Sequence, residues 1–328
     1  MNYSSSPTLN KAEALANVQA AGPAFNAVFN YLAKELKRRV APLLVILGPT
    51  GVGKTALSLQ LAQQFAGEIV SLDSRQVYQS CDIGTAKPSA AERSLVPHHL
   101  LDLADPKAEF NLAHYLAAAR AAIIDIGQRG KLPLLVGGSV LHIDALLNSY
   151  NLAELPPQTD LRQQLYDRIA TEGPEALHQQ LQELDPAAAA KIHPHNRPRL
   201  IRALEVCLTT QAKFSKLQKQ QADQATPIYL GLIRPRAELY QRINQRVDAM
   251  MAAGFVAEVK NLLATGVPPT ARSMTGHGYR HIYQYLQGQS SLATTIATIK
   301  RDTRHYAKRQ LTWWRRNPAI AWFDLSKV

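Results

Sequence analysis

Leu43-Leu44-Val45-Ile46-Leu47 is an unbroken apolar run, the pattern of a parallel strand covered on both faces. Glu68 to Leu72, Leu132 to Val136 and Ile228 to Ile233, shorter in unbroken apolar residues, also read as buried strands. Between them the apolar positions fall at helical spacing. Leu57, Leu61 and Phe65 lie four apart, Leu112 to Ile126 is an Ala-rich helix, and Leu239, Ile243, Val247 and Met250 form one stripe. Strands alternating with helices predict an α/β fold with a parallel sheet flanked by helices. Helices are also predicted over Pro23 to Val40 and Lys300 to Trp314. From 160 to 192 the strand signature disappears, and Gln, Leu and Ala-rich helices break at Gly173-Pro174 and Asp185-Pro186. Pro156-Pro157 marks a linker ahead of them. The predicted division is an N-terminal extension, partly disordered (1–40), a first part of the core (41–152), a helical insertion (153–197), and a core continuation with basic C-terminal helices (198–328).

Polar signals sit where the predicted strands end. Gly48-Pro49-Thr50-Gly51-Val52-Gly53-Lys54-Thr55 fits G-x-x-x-x-G-K-[ST], the P-loop pattern, between a strand and a helix. Its backbone N–H groups can close around phosphate oxygens, Lys54 adds a point charge for the outer phosphates, and the Thr55 hydroxyl can hold Mg²⁺. The predicted class is thus a P-loop NTPase-like sheet with a helical insertion. Asp73-Ser74-Arg75-Gln76-Val77-Tyr78 follows the second strand, at the end where open α/β sheets bind ligands. By position alone Asp73 suits catalysis and helix capping equally. Gly137-Gly138-Ser139 ends the third strand where a Walker-type ATPase carries a carboxylate, which counts against a motor or a simple NTPase.

With 328 residues, 46% of them hydrophobic and 19% charged, the chain can bury a full core. It has no apolar run of about 18 residues, so no membrane span is expected. Cys81 and Cys207 form no C-x-x-C pair, which suits a reducing, cytoplasmic setting without a disulfide framework. His98-His99 lacks a third ligand and is read as part of a surface loop rather than a metal pair. Residues 1–22 show neither a helical stripe nor a signal-peptide pattern, and a mobile segment is expected there. The formal net charge of +12 suggests an anionic partner, commonly nucleic acid. Lys300, Arg304 and Lys308 share a helix face near Tyr306, Trp313 and Trp314, a combination suited to single-stranded nucleic acid. Arg242 and Arg246, four apart, read first as solvated arginines.

Together these stretches resemble the tRNA dimethylallyltransferase (tRNA isopentenyltransferase) family. The P-loop matches, as do Asp73 to Tyr78 with D-S-x-Q-[IV]-Y, Asp82 to Pro88 with D-I-G-T-A-K-P, and Pro97 to Asp102 with P-H-x-L-[IL]-D. Arg199 to Glu205 matches R-[LV]-x-R-A-L-E, and Gly254 to Val259, Gly278-Tyr279-Arg280 and Ala307 to Trp313 follow in the family's order. The family's G-G-T-G-L-Y reads here Gly137-Gly138-Ser139-Val140-Leu141-His142, and its N-D-x-x-R reads His195-Asn196-Arg197-Pro198-Arg199. The N-terminal extension has no counterpart, and the zinc finger of eukaryotic relatives is absent, which resembles the bacterial type.

The resemblance implies transfer of a dimethylallyl group from dimethylallyl diphosphate to N6 of adenosine 37, next to the anticodon of tRNAs reading codons that start with U. It implies Asp73 as general base, with Ser139 and Arg246 also catalytic. Gly48 through Thr55 would bind the donor, with Mg²⁺ on Thr55. Asp73, Ser74, Arg75, Gln76, Ser139, Arg162, Arg199, Arg202, Gly278, Tyr279 and Arg280 would contact the tRNA anticodon stem-loop. The expected enzyme is a cytoplasmic monomer. The competing readings are a small-molecule kinase, which shares the loop and sheet, and an isopentenyltransferase acting on free adenine nucleotides.

Overall fold

The computed structural model describes residues 23–39, 41–147, 158–217, 226–276 and 278–326. Helix α1 (Pro23–Leu36) precedes strand β1 (Pro42–Leu47), helix α2 (Lys54–Gln64) and strand β2 (Gly67–Leu72). Then come β3 (His98–His99), α3 (Leu112–Gln128), β4 (Leu132–Gly137) and α4 (Val140–Leu147). The described strands form one parallel sheet in the order β3-β2-β4-β1-β5-β6, where β5 is Thr226–Ile233 and β6 is Ala321–Asp324. β1 is central, pairing Val45 with Leu135 on one side and with Tyr229 on the other, which is why its apolar run is unbroken. Leu44 to Leu47 are fully buried. Between β5 and β6 lie α9 (Arg236–Ala252), α10 (Phe255–Ala264), α11 (Tyr279–Leu286) and α12 (Leu292–Trp314). Val28 and Leu32 of α1 are fully buried in the core that includes β1, β4 and β5. Truncating such a leucine typically costs about 2–5 kcal/mol.

The described residues fold as two compact units, one on either side of the boundaries at 144/145 and 223/224, the inner stretch forming the second. The second contains α5 (Thr159–Glu172), α6 (Pro174–Leu184), α7 (Pro186–Ala189) and α8 (Arg197–Thr210). The breaks fall at Gly173 and Asp185, where Pro174 and Pro186 open the next helices. Asp185 is fully buried and accepts hydrogen bonds from the Ala188 N–H (3.1 Å) and from the Ser215 N–H (2.7 Å). The sequence division assigned α8 to the core continuation. Instead its Leu200, Ile201 and Leu204 are buried with Leu165, Leu177 and Leu181 in the insertion's own core.

Three further differences are local. His98-His99 is not a surface loop but the edge strand β3, paired with Ile69-Val70. Its rings are fixed, with His98 Nδ1 donating to Val96 O (2.7 Å) and His99 Nε2 lying 2.8 Å from Glu68 Oε2. α12 starts eight residues before the predicted Lys300, capped by the Ser291 side chain. β6 was not predicted, since four half-buried residues give no long apolar run. The extension up to residue 22 and the Pro156-Pro157 linker lie outside the described residues. No described helix is long and apolar enough to cross a membrane.

Candidate active site

The carboxyl ends of β1, β2 and β4 lead into loops that share one cavity of about 450 Å³. After β1 the chain turns at Gly48 with φ +149°, and a Cβ there would stand 2.8 Å from the Leu232 carbonyl oxygen, so no larger residue fits. α2 then begins at Lys54 without a side-chain cap, leaving its first N–H groups directed at the loop. Lys54 Nζ donates to the carbonyls of Gly48 (2.8 Å) and Pro49 (3.0 Å). Burial lowers its pKa to about 7, Arg246 adds repulsion, and Asp73 opposes the shift. Burial likewise lowers the pKa of Arg246, again opposed by Asp73. Two cations thus meet one carboxylate in a common cavity, and no hydrogen bond among the described residues joins either of them to it.

Asp73 Oδ1 accepts the Arg75 N–H at 2.8 Å, an Asx-type turn rather than a helix cap. The turn and the cavity position coexist, because only one carboxylate oxygen is used. Ser139 Oγ accepts the Ser74 N–H at 3.2 Å, tying the β4 loop to the β2 loop. Gln76 accepts from Ser71 Oγ (2.8 Å) and donates to the carbonyls of Thr85 and Ala86 (both 3.2 Å). Arg75 has its pKa lowered by burial and by the neighbouring Arg272. His142 keeps an aromatic packing role, edge-on to Tyr115 with centroids 4.6 Å apart. Burial, then Arg272 and Arg75, lowers its pKa to about 4, so the ring is neutral at physiological pH.

Arginines hold the phosphate loop in place. Arg242, read from sequence as solvated, donates from Nε to Gly51 O (3.0 Å), and Arg234 donates from Nε to Val52 O (2.9 Å). Arg246 lines the cavity instead of facing bulk water.

The residues expected at the RNA divide. Arg199 and Arg280 are exposed. Tyr279 is 1% exposed and donates its hydroxyl to Glu258 Oε1 at 2.6 Å, and Gly278 is buried, so neither presents a side chain to RNA. Arg162 and Arg202 both close on Glu205, at 2.8 and 2.6 Å. Pro198 falls in the first turn of α8, where a missing N–H costs little. On α12 the predicted basic face is partly used internally, with Lys300 bound to Asp248 (2.6 Å) and Arg304 to Asn244 (2.7 Å). Lys308 of that face stays exposed, as do Arg301, Arg309 and Trp313 on the helix and Arg316 just beyond it, while Trp314 is buried.

The sequence singles out neither Gln310 nor Glu258 as a site residue, and it sets Tyr306 among the aromatics of a nucleic-acid-binding helix, whereas Tyr306 lines the cavity. Glu258 accepts the N–H groups of Asp82 (2.9 Å), Ile83 (2.6 Å) and Gly84 (3.1 Å), fixing the loop that Gln76 grips. A usable signal existed, since Glu258 adjoins the buried Phe255–Val259–Leu262 stripe and Gln310 sits between buried Ala307 and Trp314. Among the described residues no cluster of three or more His, Cys, Asp or Glu is arranged to hold a metal ion.

Residues 76–317 match the family described as IPP transferase, and residues 41–102 match isopentenyl transferase. The chain is 48% identical over 286 residues to the tRNA dimethylallyltransferase of Thermomicrobium roseum, covering 87% of each chain. It is 49% identical over 279 residues to that of a Roseiflexus species, covering 85% of this chain and 92% of the relative. Among solved structures, the full-length tRNA isopentenylpyrophosphate transferase of Bacillus halodurans superposes with a TM-score of 0.65 at 42% identity, covering 87% of this chain and 90% of that one. A eukaryotic dimethylallyltransferase acting on tRNA gives 0.73 at 30% identity, covering 87% and 74%.

Proposed function

Because this chain belongs to the IPP transferase family, whose named relatives are tRNA dimethylallyltransferases, we propose that it transfers a dimethylallyl group from its diphosphate to N6 of the adenosine beside a tRNA anticodon. The observation that carries the donor side is the meeting of Lys54 and Arg246 with Asp73 in one cavity under the phosphate loop. A diphosphate brings the negative charge this arrangement lacks. Its arrival would restore Lys54 to its cationic form and draw Nζ from the loop carbonyls to the phosphate oxygens.

In the reaction the bond from the allylic carbon to the diphosphate oxygen breaks and the N6–carbon bond forms. The departing electron pair stays on the diphosphate, which Lys54, Arg246 and the N-terminus of α2 stabilise. The N6 proton passes to Asp73, whose second carboxylate oxygen is outside the turn. Ser139 holds the end of β4 against the β2 loop and can donate its hydroxyl proton to a phosphate oxygen. The Thr55 hydroxyl, on the cavity wall, is an oxygen donor of the kind Mg²⁺ uses beside substrate phosphates. When bound there, the ion would add charge neutralisation for the leaving group. The exposed Arg301, Lys308, Arg309, Trp313 and Arg316 supply an outer surface suited to phosphates and stacked bases. The enzyme acts as a single chain, in the cytoplasm with its tRNA.

The test is mass spectrometry of nucleosides after incubation with dimethylallyl diphosphate and an anticodon stem-loop. The expected product is N6-(dimethylallyl)adenosine, with stem-loop affinity falling steeply as salt rises. Faster prenylation of free AMP, or ATP turnover coupled to phosphorylation of a small metabolite, overturns the reading.

A further inference from the structure

Gln310 is 2% exposed and belongs to α12, whose outer face carries Lys308, Arg309 and Trp313. Its Oε1 accepts the Thr50 N–H of the phosphate loop at 2.9 Å, and its Nε2 donates to Gly138 O after β4 at 2.8 Å. One turn earlier, the Tyr306 hydroxyl donates to the same Gly138 oxygen at 3.3 Å. The amide supplies an acceptor on one side and a donor on the other. A Cβ on residue 138 would stand 2.2 Å from Gln310 Nε2, so the glycine is what lets the amide reach.

We propose that Gln310 is a positioning residue for the transfer reaction, fixing the phosphate loop at its working distance from the β4 loop that carries Ser139. The proposal rests on the prenyl-transfer reading above. Its bond also turns the Thr50 N–H away from an incoming phosphate, and the Val52 N–H is held by Pro49 O at 3.3 Å, leaving the N–H groups of Gly51, Gly53, Lys54 and Thr55 to receive the diphosphate. Thr50 and Gly138 lie on different loops, and without the amide no other described side chain bridges them.

The test compares wild type, Gln310→Met and Gln310→Glu in single-turnover transfer at saturating donor, with inorganic diphosphate binding measured separately. Gln310→Met keeps the volume and breaks both bonds. Gln310→Glu keeps the acceptor for Thr50 but sets an oxygen against Gly138 O. Both are expected to lose about tenfold or more in rate at saturating donor, the scale for buried backbone groups left unpaired. A cycle with Gly138→Ala and Gln310→Ala covers the case in which Met or Glu prevents folding. The cost of Gly138→Ala should shrink at least about fivefold when Gln310 is already alanine, because the clash partner is gone. Wild-type rates in both single variants, or additive effects in the cycle, overturn the proposal. Absence of transfer by the wild type overturns the prenyl-transfer reading itself.

Discussion

In the sheet unit Lys54 and Arg246 face Asp73 across a cavity, and in the helical unit Arg162 and Arg202 face Glu205. Each set is two cations and one carboxylate. The helical set is closed, since Glu205 is fully buried and accepts from Arg162 at 2.8 and 2.9 Å, from Arg202 at 2.6 Å and from the Gln158 N–H at 2.8 Å. Burial raises the Glu205 pKa, but these hydrogen bonds outweigh it and hold the net shift downward. In the sheet set Lys54 donates to backbone carbonyls and Asp73 accepts from a backbone N–H. No hydrogen bond among the described residues joins its charges to one another, and burial outweighs the attraction of Asp73, so the lysine pKa falls to about 7. A satisfied triad holds a fold together, and an unsatisfied one in a cavity is built for a ligand.

The sharpest way to break this contrast is Asp73→Asn. Asparagine can still accept the Arg75 N–H, so the turn survives, but it cannot take the N6 proton. Single-turnover transfer should fall by at least about 100-fold, with little change in stem-loop affinity or melting temperature. A near wild-type rate would leave Asp73 as a turn residue only.

The next effect is expected at Lys54. Lys54→Met should weaken donor binding by about 10–100-fold, the scale of a lost charged hydrogen bond. The sign of the pH dependence follows from the lowered pKa. Below pH 7 the free enzyme already carries the ammonium that diphosphate requires. Above about 7 it must take up a proton on binding, so affinity should weaken as pH rises through that value. Calorimetry at pH 8 in buffers of different ionisation enthalpy should show proton uptake that Lys54→Met abolishes. Equal heats in all buffers for the wild type would contradict the open triad.

The smallest effect belongs to the closed triad. Glu205→Gln should destabilise the helical unit by about 1–3 kcal/mol, toward the lower end because both guanidinium groups reach solvent. Since the Glu205 pKa is lowered in the fold, its contribution is present above the ordinary glutamate value of about 4.3 and is lost as pH falls through the folded value. Acid unfolding followed by circular dichroism should therefore differ between wild type and variant mainly above that window. Unchanged stability at neutral pH would show that the closed triad holds nothing.

The sequence alone determined the strand–loop–helix around Lys54, the parallel sheet and the breaks at Gly173 and Asp185. Each follows from local rules: an apolar run for a doubly covered strand, glycines for the loop, and proline at a first helical turn. The place of Asp73 on the cavity wall was also legible, because the carboxyl ends of strands in such a sheet open on the crevice whatever the remaining chain does, while its role was left between catalysis and capping. Only the tertiary structure decided which charges are spent. Arg162 and Glu205 are 43 residues apart, Tyr279 and Glu258 are 21 apart, and Thr50 and Gln310 are 260 apart. Spacing and composition carry no record of pairings at that range. They do not show that Tyr279 is buried on Glu258, or that the exposed Arg242 spends its Nε on the Gly51 carbonyl. A side chain's type states what it can bond, and only the packed chain states which of those bonds are already made.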